Sequence, residues 1–126
     1  QGHDQLKYEA KWLVIQASLK DLAVFSALKF PNIECIAPDS ENTMITPEQM
    51  KYYIKKYKFI SVLFDGDVAG KKAAIKYQQT YGIPYTNFEI EKDVARCAKQ
   101  HGLKNTKIFL QPLLLKTKKE WISQTK

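Results

Sequence analysis

Cysteine, histidine and long apolar runs are scarce in this chain, and each scarcity removes a class of function. Two cysteines, Cys35 and Cys97, stand far apart in the 126 residues. They offer neither a disulfide framework nor the close pairing of a zinc site. That usage fits a reducing cytoplasm, with Cys35 read as a buried free thiol between Ile33 and Ile36. Two histidines are present, His3 near the start and His101 at a predicted helix end, neither with a partner for a nucleophilic triad. The longest apolar stretch, Phe59 to Phe64, is too short to cross a bilayer, which excludes a membrane span. Repeats, linkers and low-complexity segments are also missing.

What is present is the composition of one soluble globular domain, 44% apolar and 26% charged. A core of ordinary size is within reach at this length, so the fold needs no disulfide or structural metal. Twenty Lys and Arg against thirteen Asp and Glu leave a net charge of +7, which favours polyanionic partners. Gln1-Gly2-His3 resembles the remnant of a cleaved tag, and residues 4–104 read as the domain, with residues 105–126 a basic helical tail.

Strands and helices alternate along the chain. Trp12 to Ile15 and Ile33 to Ala37 read as buried strands, separated by a helix opened by Ser18 and Asp21 at capping-box spacing. Thr46-Pro47-Glu48-Gln49 predicts the start of a second helix whose buried face is Met50, Tyr53, Ile54 and Tyr57. Phe59 to Phe64 is the third strand, Val68 to Tyr81 a helix stopped by Gly82, and Tyr85 to Ile90 a fourth strand. Asp93 to His101 is helical with Gly102 as its stop, and Asn105 to about Ser123 is helical with Pro112 opening a new segment. The alternation implies an α/β fold with a four-stranded, mainly parallel sheet flanked by helices. Ligands in such sheets gather beyond the carboxyl ends of the strands. The loops to watch are therefore Gln16 to Ser18, Pro38 to Asn42 and Asp65 to Gly70.

Asp65 and Asp67 leave the third strand with only Gly66 between them. Two carboxylates crowded together invite a divalent cation, and Mg²⁺ suits hard oxygen donors while keeping waters that a phosphate can replace. Lys71 and Lys72 lie on the first turn of the following helix, where a phosphate would also meet free N–H groups. An acidic turn with Asp67 capping the helix is the other reading of the bare pair.

The longer string Phe64-Asp65-Gly66-Asp67-Val68-Ala69-Gly70-Lys71-Lys72-Ala73-Ala74 resembles the Asp-x-Asp motif of Toprim domains, in the form found in bacterial and phage DNA primases. The likeness extends over Trp12 to Gly102 and includes Lys92-Asp93 in the manner of the family's third acidic segment. It implies a Toprim fold, Rossmann-like, that binds Mg²⁺ or Mn²⁺ and serves nucleotidyl transfer in RNA primer synthesis as part of a larger protein. Its partners would be DNA template, RNA primer and nucleotides, with a replicative helicase as a further candidate. The setting would be the cytoplasm of a bacterial cell or phage-infected host. Asp65 and Asp67 map onto the metal pair and Asp93 onto the first acid of the third segment.

The chain departs from the pattern at the first motif. Anchored on Asp21, the family's glutamate slot holds Ala17, and a slip of one residue puts Gln16 there instead. Ala95 or Arg96 stands where the third segment has a second acid. Glu41, on the loop after the second strand, is the candidate to replace the missing acid, with a solvated loop acid as its other reading. Lys20 is a candidate phosphate contact or a solvent-facing lysine. Lys116, Lys118, Lys119 and Trp121 either touch nucleic acid or pack back on the domain. The competing readings are a catalytically degenerate nucleic-acid-binding or assembly module, and a small Toprim nuclease.

Overall fold

β1 (Trp12–Gln16) is buried over all five residues, as a central strand covered on both faces must be. The computed structural model describes residues 12–16, 18–38, 44–89 and 93–124. β2 (Ile33–Ile36) and β3 (Phe59–Asp65) flank β1, and β4 (Tyr85–Phe88) lies beyond β3, giving the order β2-β1-β3-β4 with every pairing parallel. The chain is thus α/β with a four-stranded, all-parallel sheet, consistent with a Rossmann-like or Toprim-type fold.

The period of two along each strand sorts the core into two layers. Leu13 and Ile15 of β1 pack with Ile60, Val62 and Phe64 of β3 against Met50 and Tyr53 of α2 (Pro47–Lys56) and Ala74 and Tyr77 of α3 (Val68–Tyr81). Trp12, Val14 and Leu63 face the other way, onto Phe25 and Leu28 beside α1 (Leu19–Ala27) and onto Cys97, Leu110 and Leu114 of α4 (Val94–Gln124). On this second face the Trp12 indole N–H donates to Ser61 Oγ at 2.9 Å, which satisfies both buried polar groups.

Local signals set the helix ends where the sequence places them. Ser18 caps α1 and Thr46 caps α2 in a reciprocal box with Gln49. α3 stops at Gly82, whose φ of 70° lies in the left-handed region that only glycine enters without strain. Three details differ from expectation. Ile54 faces outward, because the apolar stripe of α2 continues from Tyr53 to Tyr57 instead. Cys35 is half-buried, since β2 is an edge strand. α4 breaks at Gly102 (φ 82°, ψ 163°), while Pro112 lies within the helical run that follows and opens no new segment.

That second run is part of the core. Thr106, Leu110, Leu114 and Thr117 are buried, Lys118 lies over the Phe59 ring at 5.4 Å, and Trp121 packs half-buried on the first layer. Gln1-Gly2-His3, Ala17, Glu41 and Ile90 to Lys92 lie outside the described residues.

Candidate metal centre

The connection from β1 runs to β2 on one side, and the connection from β3 runs to β4 on the other. Between two such strands a crevice opens at their carboxyl ends, the place where open parallel sheets bind ligands. Gln16 ends β1 and Asp65 ends β3 there. Gln16 is in register with Leu63, so Asp65 stands two residues further along the neighbouring strand, on the same face. That face is the one covered by α1 and α4.

Those two helices deliver two more acids. Asp21 lies in the first turn of α1, and Asp93 immediately precedes α4. One oxygen from each of Asp21, Asp65 and Asp93 lies within 4.8 Å of the others. Asp21 and Asp93 are buried and Asp65 is half-buried. Oxygens on opposite sides of a Mg²⁺ ion stand about 4.2 Å apart, twice its bond length, and about 5 Å apart across Ca²⁺. The span of the cluster is therefore that of a cation's oxygen shell, and its three hard donors fit a divalent ion.

Helix ends make the crowding of acids tolerable. Asp93 Oδ1 accepts from the Arg96 N–H at 2.7 Å, and Asp21 Oδ1 accepts from the Ala95 N–H at 3.0 Å, so both carboxylates sit at the positive end of α4. Ser18 Oγ–H donates to Asp21 Oδ2 at 3.1 Å. Burial nevertheless raises the Asp21 carboxyl above its ordinary range; the Ala95 hydrogen bond opposes this, and the Asp93 charge adds to the rise. The Asp21 and Asp93 oxygens that accept these bonds each keep a second lone pair for a ligand.

Gln16 ends β1 beside this crevice. It is 0% exposed, and neither its Oε1 nor its Nε2 has a hydrogen-bond partner among the described residues. A buried amide left so costs about 1–3 kcal/mol. Its alternation with Trp12 and Val14 puts it on the face that carries Asp65.

The other candidates from the sequence take different places. Asp67 caps α3, its Oδ1 accepting from the Gly70 N–H at 2.7 Å, and it lies outside the group formed by the three acids. That carboxylate occupies the helix N-terminus where a phosphate was expected. Lys71 pairs with Glu89 at 2.9 Å, each holding the other charged, in an exposed contact of little energetic weight. Lys72 is exposed. Lys20 stands at the rim, its side chain 71% exposed and its Nζ 3.9 Å from Asp93 Oδ2. Gly70 is required by packing, because a Cβ there would lie 2.1 Å from the Asp65 carbonyl oxygen. Asp21, legible in the sequence only as a capping or motif-anchor residue, is the member that the fold adds to the cluster.

A groove of about 740 Å³ lies at the opposite, amino-terminal edge, lined by Trp12, Ile33, Phe59 and Leu114 among others, far along the strands from the acids. No protein-family model and no curated protein sequence matches this chain.

Proposed function

We propose that this chain is a Toprim-like, divalent-cation-binding domain of a DNA primase, acting with other parts of a larger protein in nucleotidyl transfer. The observation that carries the reading is the convergence of Asp21, Asp65 and Asp93 at the carboxyl-edge crevice between β1 and β3. The three carboxylates would hold Mg²⁺ or Mn²⁺. A bound ion supplies charge stabilisation to phosphoryl oxygens as a phosphodiester forms. Lys20 at the rim adds a mobile positive charge for a nucleotide or primer phosphate, and the net charge of +7 favours a nucleic-acid template.

A metal titration of the whole chain tests this. Amide shifts on adding Mg²⁺ should centre on Asp21, Asp65 and Asp93, and Asp65→Asn should abolish them. No response at millimolar metal removes the reading. The lack of an acid at Gln16 or Ala17, where a primase-type first motif has a glutamate, favours a second reading, a module that binds metal and nucleic acid without turnover. Primer synthesis by the full-length parent protein, lost on Asp65→Asn, supports the first; synthesis indifferent to that change supports the second. Metal-dependent DNA degradation by the chain alone would support a nuclease instead.

A further inference from the structure

A buried, unpartnered amide at the carboxyl end of β1, on the sheet face that carries Asp65, needs something to bind. Gln16 is fully buried, both of its side-chain polar atoms lack a partner among the described residues, and it shares a sheet face with Asp65. The same face is covered by α1 and α4, whose first turns bring Asp21 and Asp93. Its carbonyl oxygen is a hard donor of the kind divalent ions accept from Asn and Gln. Its NH₂ group can donate only to an acceptor, and the acceptors converging here are carboxylates.

We propose that Gln16 is the fourth protein ligand of the cation. Oε1 binds the ion held by Asp21, Asp65 and Asp93, and Nε2–H donates to a carboxylate of the same cluster. The inference rests on the metal-site reading above and deepens it. The ligand set then carries three negative charges, and the β1 position holds the ion in place while being unable to accept a proton at neutral pH. Gln16 is thus a binding residue, and any base for the reaction comes from elsewhere.

Mn²⁺ alone, titrated into the whole chain, tests the assignment. Wild type should bind Mn²⁺ and Asp65→Asn should not. Gln16→Leu should weaken binding tenfold or more while raising the melting temperature in EDTA, because it removes the orphaned amide. Gln16→Glu should tighten binding about tenfold, since it adds a fourth charge to the set. In ¹⁵N-labelled wild type, substoichiometric Mn²⁺ should broaden the Gln16 side-chain NH₂ signal before those of the other glutamines, a readout independent of how the variants fold. Wild-type affinity retained in Gln16→Leu, or a Gln16 signal left sharp by bound Mn²⁺, overturns the role of Gln16 and leaves the three-aspartate site standing. Absence of Mn²⁺ binding in wild type overturns both.

Discussion

Asp21 is buried beside Asp93, and the Ala95 amide, the Ser18 hydroxyl and the Lys20 charge favour its ionised form. Its folded-state pKa lies above the ordinary carboxyl value of 3.8, so the folded chain holds that proton more tightly than the unfolded one. The favourable contribution is complete below pH 3.8 and is lost as pH rises through the folded value. In EDTA, Asp21→Asn should therefore raise the melting temperature at pH 7 and flatten its fall with pH. With saturating Mn²⁺ the order should reverse, because the variant lacks a ligand; thermal melts across pH with and without metal read both. Gly70→Ala drives a Cβ into the Asp65 carbonyl, a backbone group that cannot rotate away. That should cost about 3 kcal/mol in urea unfolding and weaken Mn²⁺ binding by displacing Asp65.

At the scale of elements, the DGD turn shows how one short string divides its duties. Asp65 is the last residue of β3 and keeps the strand's alternation, so its side chain joins the face beneath α1 and α4. Asp67 lies past the strand, where the chain has turned at Gly66, and its carboxylate serves the first turn of α3. Asp67→Ala should lower stability by about 1 kcal/mol through the lost cap, measured by urea unfolding. Asp67→Asn, which retains a capping oxygen, should leave Mn²⁺ affinity nearly unchanged where Asp65→Asn removes it. A collapse of affinity in Asp67→Asn would return Asp67 to the metal site.

For the molecule as a whole, the helical run after Gly102 decides where the fold ends. Leu110 is fully buried, in the core cluster with Trp12, Leu63 and Phe88. Leu110→Ala should cost about 3 kcal/mol, and removing residues 105–126 should abolish cooperative unfolding, checked by calorimetry. A truncated chain that melts cooperatively would make that run an appendage. If nucleic acid binds through lysines, affinity for single-stranded DNA should fall with salt, the log–log slope losing about 0.7 for every phosphate contacted. Among the described residues no helix is long and apolar enough to cross a membrane.

The alternation of strands and helices with its parallel sheet, the helix caps at Ser18, Thr46 and Asp67, and the stop at Gly82 were legible in the sequence, because each follows from a period or a cap written in adjacent residues, whereas the strand order was not. Asp65 could be singled out for the same reason, as an acid at the end of a readable strand, and Asp93 by its resemblance to the third acidic segment of Toprim domains. The cluster itself was not legible. Asp21, Asp65 and Asp93 are brought together by parallel pairing and by the packing of α1 and α4 on one face, and no local spacing encodes a contact across 74 residues such as that of the Ala95 N–H with Asp21. The fate of Gln16 was decided in the same way: its side chain is polar in any sequence, but only the packing of helices on the sheet takes it out of water, on the face that carries Asp65.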